Sequence, residues 1–205
     1  MMETGGDYKK EWFAQSQINY FTAFITLWLS CNSWYNFHYS LAKDRDHINK
    51  IKEDSTSTNK LFCEFKNLVS QSNTKEQKIF FANIEQLYYS LNRNRISGDR
   101  LLFPLSFEKV LPDYSRKDEA SAYESIVIQN ARTRTRKLRS GVSGIDLGEI
   151  VLIDDQQKVF AGIFEIIYQV RCQLVHGNLN PTEENLDTVK YCYFILYDLL
   201  KPFCG

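Results

Sequence analysis

The sequence predicts an all-α fold, a helical bundle carrying a small two-stranded extended insertion. Three observations point to it. Val159, Ile163, Ile166, Val170 and Leu174 recur at helical spacing and stop at Gly177, a residue suited to the left-handed position after a helix. Thr74 with Gln77 reads as a capping box, and the stretch it opens carries Phe80, Phe81, Ile84, Leu87, Tyr88 and Leu91 as an apolar face. From about residue 93 to 155 that periodicity is lost, and prolines, glycines and short β-prone runs replace it.

The first helix is expected from Tyr20. Between Trp12 and Ala42 there is no Asp, Glu, Lys or Arg. Apolar and aromatic residues fall almost all round the stretch Tyr20 to Leu29, which predicts a helix covered on several sides. Gln15, Asn19, Thr22, Thr26, Ser30 and Ser33 form one uncharged polar stripe. It reads as small groups at a close helix–helix contact, with a dimer seam or a cleft as the other reading. His38 reads as a packed aromatic neighbour, because no second His or Cys stands at a metal-ligand spacing.

Asp44 to Asp54 is charge-dense and reads as a solvated helix or connector. Ser55 to Thr58 offers N-caps for a helix bearing Leu61, Phe62, Phe65, Leu68 and Val69. Within the insertion, Ser97-Gly98-Asp99 signals a turn, and Pro104 and Pro112 break any long helix. Leu101 to Phe107 and Gly148 to Ile153 are the two extended candidates, and the sequence allows them to pair. At the end of the chain, Asn180 reads as an N-cap, Pro181 as the first helical residue and Glu183 as its box partner. The stripe Leu186, Val189, Tyr193, Leu196, Leu200 and Phe203 follows. The short loop Gly177 to Leu179 predicts antiparallel packing on the preceding helix.

The 205 residues fit a single domain spanning 1–205. With 25 basic and 25 acidic residues the formal net charge is zero, so a nucleic-acid partner must be met by a local basic patch. Arg132, Arg134, Arg136, Lys137 and Arg139 supply the strongest candidate. They read either as a contact to an RNA backbone or as a solvated helical face. The five cysteines include no C-x-x-C pair, which fits reduced thiols in a cytoplasmic protein better than a zinc site or a disulfide framework. Neither metal nor cofactor is expected. The opening MMETGGDYKK lacks a signal-peptide core, and Tyr20 to Leu29 is too short to span a bilayer, so no membrane partner is expected.

Arg171 and His176 stand between the apolar stripe and Gly177. A guanidinium holds an anion in a fork, and an imidazole moves a proton near neutral pH, so the two together suit phosphate chemistry. The spacing Arg171-x4-His176-Gly177, after the aliphatic pair Leu174-Val175, resembles the HEPN family of all-helical domains. Their penultimate helix carries an Arg-x4–6-His motif. The resemblance implies a metal-independent endoribonuclease of toxin or anti-phage defence type. Two copies would meet at a homodimeric cleft, with RNA as substrate and an antitoxin protein as a further partner. Arg171 and His176 would be its catalytic residues. The residue after the arginine is usually polar in active members, and here it is Cys172. That favours the alternative reading, an inactive module of the same kind for dimerisation or for nucleotide or partner binding. On an ideal helix five residues separate the two side chains by about 140°. They converge on one phosphate only if the last turn loosens or if they come from opposite subunits.

Overall fold

Six helices and two two-stranded ribbons make up the described part of the chain, residues 18–97, 101, 103–112 and 123–204 of this computed structural model. The helices are α1 (Tyr20–Tyr39), α2 (Asp44–Glu53), α3 (Lys60–Ser70), α4 (Lys75–Asn94), α5 (Gln156–Val175) and α6 (Glu183–Cys204). The strands β1 (Leu111–Pro112), β2 (Tyr123–Glu124), β3 (Gly144–Asp146) and β4 (Val151–Ile153) lie between α4 and α5. The N-terminal decapeptide, Gln15 and the turn at Gly98-Asp99 lie outside the described residues.

α5 is the axis of the structure. From Val159 to Tyr168 every residue is buried, so the helix is covered all round and not along one stripe. α2, α3, α1 and the β1 and β4 strands pack on it. Gly162 explains how the insertion comes so close. A Cβ there would sit 3.0 Å from Ile126 and 3.0 Å from Val110, so any larger residue would press those side chains away from the helix. Phe160 and Phe164 stack at 5.7 Å, and Trp28 of α1 stacks on Phe164 at 6.2 Å.

The local signals hold where a cap decides them. Thr74 accepts from the backbone N–H of Gln77, and Gln77 Oε1 accepts in return from the N–H of Asn73. α3 is capped by Asn59, one residue beyond the Ser55 to Thr58 cluster. Its Oδ1 accepts from Phe62 N–H while its Nδ2 donates to the carbonyls of Ile51 and Asp54. Because Asn59 is fully buried, only a side chain able to fill all three roles suits the position.

Several expectations are corrected. Gly148 to Ile153 does contain a strand, but β4 pairs antiparallel with β3, Gly144 opposite Ile153, and not with Leu101 to Phe107. A short hairpin through Gly148, which has φ +123, closes at far smaller entropic cost than a pairing across forty-odd residues. α6 begins at Glu183, capped by Thr182, whose Oγ1 accepts from Asn185 N–H, so Asn180 is not the cap. Its carbonyl instead receives Thr182 N–H and Asn185 Nδ2. α6 touches α5, yet it packs chiefly against α4 and α1.

α1 also departs from its expectation. Phe24, Trp28, Cys31 and Tyr35 form a single buried seam, while Thr22, Thr26, Ser30 and Ser33 face solvent. They therefore do not fill a helix–helix contact within the chain. Within the stripe Thr26 Oγ1 donates to the carbonyl of Thr22, and Asn19 Oδ1 caps the helix at Thr22 N–H. Leu29 and Phe37, 62% and 91% exposed, lie on the solvent side too. His38 packs as expected, stacked on Trp34 at 5.3 Å. Among the described residues no helix is long and apolar enough to cross a membrane.

Candidate functional site

The end of α5 is built as a full Schellman turn. Gly177 N–H donates to the Leu174 carbonyl and Asn178 N–H to the Gln173 carbonyl, with Gly177 at φ +71. His176 N–H still donates to the Cys172 carbonyl at 3.0 Å, so the helix stays regular up to the histidine. The loosened last turn that would let Arg171 and His176 converge within one chain is absent. His176 is exposed at the cap. No hydrogen bond or ion pair joins the two residues.

Arg171 turns instead toward α1 and α2. Its Nη1 lies 3.4 Å from Asp44 Oδ2 at the start of α2. Its guanidinium carbon is 5.6 Å from the centre of the Trp28 ring. The side chain is 21% exposed, and its Nε is buried without a partner. Asp44 is oriented from behind by Tyr35, whose hydroxyl donates to Asp44 Oδ1 and accepts from Asn32 Nδ2 at 2.7 Å. Burial and the hydrogen bond to Asp44 push the Tyr35 phenol well above its ordinary range, which keeps it a donor. The Asp44 contact is longer than the roughly 2.7–2.9 Å of a strong charge-assisted hydrogen bond, so an incoming anion has a weak pair to displace.

On the neighbouring face of α5 lies a second polar group that sequence reading missed. Glu165 is 7% exposed. Its Oε1 accepts from Arg45 Nη1 and Gln169 Nε2, both at 2.7 Å, and its Oε2 from Lys52 Nζ at 2.6 Å. Burial alone would raise this carboxyl, but Lys52 and Arg45 hold it below its ordinary value. A signal was present: Glu165 is the one charged residue between Lys158 and Arg171, and a lone carboxylate in a buried helix requires partners. Asp44, Arg45 and Lys52 gave less sign, since a dense charge run ordinarily reads as solvated.

The basic run is neither helical nor beside the motif. Residues 131–139 form a hairpin-like loop, with Arg139 N–H donating to the Ala131 carbonyl and Arg132 bridged to Leu138. Arg132 pairs with Asp146 and Arg136 with Glu149, the latter at 2.7 Å. Arg139 Nε donates to the Arg132 carbonyl. Arg134 and Lys137 are exposed and make no ion pair among the described residues. The loop is tied through Asp146 and Glu149 to the β3–β4 ribbon, whose turn is held by Glu85 of α4. No hydrogen bond or ion pair links it to Arg171 or His176. All five cysteines are free thiols. Among the described residues no three His, Cys, Asp or Glu side chains gather as a metal site would need. The chain matches no family model, no curated protein and no solved structure.

Proposed function

We propose that the chain is a metal-independent endoribonuclease of HEPN type, a toxin or anti-phage defence enzyme that works on RNA as a homodimer. With no family match, the reading rests on the Arg171-x4-His176 motif closing the central helix of an all-helical fold. One observation carries it: His176 is solvent-exposed and held at a fixed point by the Schellman turn, with the guanidinium of Arg171 partly exposed one turn earlier. In the implied reaction the RNA 2′-OH attacks the adjacent phosphorus. The 2′-O–P bond forms, the P–O5′ bond breaks, and the products are a cyclic phosphate and a free 5′-OH. His176 serves as general base or acid. Arg171, released from Asp44, neutralises the charge growing on phosphate. Because the two side chains diverge within one chain, the composite site draws its second proton-transfer group from the other subunit. The charge-free solvent face of α1, with Leu29 and Phe37, is the surface whose composition suits such a seam.

Cleavage of mixed RNA in EDTA is the test. The wild-type chain should leave cyclic-phosphate ends, while His176→Ala abolishes cleavage and Arg171→Lys, which keeps the charge but loses the fork, impairs it. Sedimentation should show a dimer that Phe37→Lys dissociates. No cleavage under these conditions removes the enzyme reading. The alternative then stands, an inactive module for dimerisation or for nucleotide or partner binding, favoured by the Asp44–Arg171 pair and by Cys172.

A further inference from the structure

A cavity of about 250 Å³ opens between the insertion and α5. Arg45, Lys109, Glu165 and Gln169 provide its polar lining, and Phe103 and Tyr123 are among its aromatic and apolar walls. The volume is below the roughly 300–1,000 Å³ of a pocket for a whole drug-sized ligand, so it seats one ring system and leaves the rest of a ligand at the mouth. The charge in and behind it is biased. Among the described lining residues Arg45 and Lys109 bring two cations and Glu165 one carboxylate, which is already paired with Arg45 and with Lys52 behind it, and Lys109 stands exposed at the rim. Lys109 Nζ sits 4.2 Å from the centre of the Phe103 ring, and Phe103 meets Tyr123 edge-on at 5.6 Å. Gln169 spends its amide N–H on Glu165 and leaves its carbonyl as an acceptor. Ser106 adds a hydroxyl.

Cations at the rim, aromatic walls and hydrogen-bonding edges are what a planar heterocycle bearing a phosphate requires. We infer that this cavity binds one nucleotide unit, its base against Phe103 and Tyr123 and its phosphate toward Lys109. Position along α5 strengthens the inference. Glu165, Gln169, Cys172 and His176 recur at helical spacing on one stripe of the helix. His176 therefore lies on the cavity's side, about 10 Å beyond Gln169 at 1.5 Å per residue. A base seated in the cavity leaves a neighbouring phosphodiester of the same strand within reach of His176. To that extent the inference rests on the nuclease reading: the nucleotide is either free or part of the RNA substrate, and the cavity then selects the base.

The test uses the full chain with His176→Ala, which binds without cutting. The four nucleoside 5′-monophosphates and a short single-stranded RNA are titrated by calorimetry. Lys109→Gln changes an exposed rim residue, and Ser106→Trp fills the cavity, with folding checked by circular dichroism. Binding of a mononucleotide that both variants weaken by about tenfold or more, the loss of a charge-assisted contact, supports a free-nucleotide site. Binding of RNA alone, with a base preference that both variants flatten, supports a substrate subsite. Unchanged binding of both probes in folded variants overturns the inference, as does inorganic phosphate competing as well as any nucleotide. The two readings fail separately. RNA cleavage with no effect at the cavity leaves the nuclease and removes the pocket, whereas mononucleotide binding without any cleavage does the reverse.

Discussion

Replacing Glu165 by Leu is expected to cost about 3 kcal/mol of stability, and the structure says through which partner. Lys52 and Arg45 both contact the carboxylate, but their side chains are 11% and 42% exposed. Arg45, with water at hand, loses about 1 kcal/mol or less when its partner goes. Lys52 is left charged and nearly dry, and breaking a buried pair from one side costs about 3–5 kcal/mol. The lower end applies, because part of the Lys52 stem can move outward. At roughly 2–4 °C per kcal/mol for a chain of this size, about 3 kcal/mol lowers Tm by roughly 6–12 °C. Urea unfolding followed by circular dichroism measures it. Adding Lys52→Met should restore most of the loss, since an apolar replacement of a buried pair is often neutral or stabilising. A Glu165→Leu protein within about 1 kcal/mol of wild type would refute the reasoning, and so would a double variant no better than the single one.

Other expectations follow from the same geometry. Gly162→Ala gains about 1 kcal/mol of helix propensity, yet its methyl group meets Ile126 and Val110 at 3.0 Å. Overpacking of about 1–3 kcal/mol wins, and hydrogen exchange should show the insertion loosening before the helices do. Asp198 has its pKa raised from 3.8 to about 6 by burial, so the folded state holds its proton longer than the unfolded one. Its contribution is favourable at low pH and is lost as pH rises from about 4 to 6. Asp198→Asn should therefore raise Tm at pH 7 and flatten the thermal profile over that window. Glu165 has the opposite sign, so stability present above pH 4.5 falls away as acid protonates it. If Arg134 and Lys137 contact an RNA backbone, changing both to Gln lowers the slope of log affinity against log salt by about 1.4, at about 0.7 per single-strand contact. An unchanged slope makes the loop merely solvated.

Sequence reading reached what short-range chemistry decides. The Thr74 cap, the Gly177 stop and the helical character of α3, α4, α5 and α6 depend on residues within one turn of each other. It failed where partners arrive from far along the chain. Glu165 binds groups on α2 more than a hundred residues earlier, and Arg171 is held by Asp44 at a comparable distance. The apolar stretch Tyr20 to Leu29 placed Trp28 on a helix but did not say that an arginine would stack on it, or that Tyr35 would hydrogen-bond the arginine's acidic partner. The α1 stripe was misjudged because small uncharged residues serve both a tight contact and a surface, and composition alone does not separate them. For β4 the extended character was legible and the partner was not, since strand propensity carries no register.

The placement of α5 has a consequence for how the protein is made. The helix on which α1, α2, α3, β1 and β4 converge occupies residues 156–175, so it leaves the ribosome after the first four helices and all four strands. Until then the inward faces of Phe24, Trp28, Phe65 and Phe80 have no common surface to close on, and the nascent chain exposes them to whatever holds apolar segments in the cell. Asp44 and Trp28 are synthesised long before Arg171 and wait for it. Any site that needs both Arg171 and His176, as the proposed function does, stays incomplete until α5 and its capping turn are made.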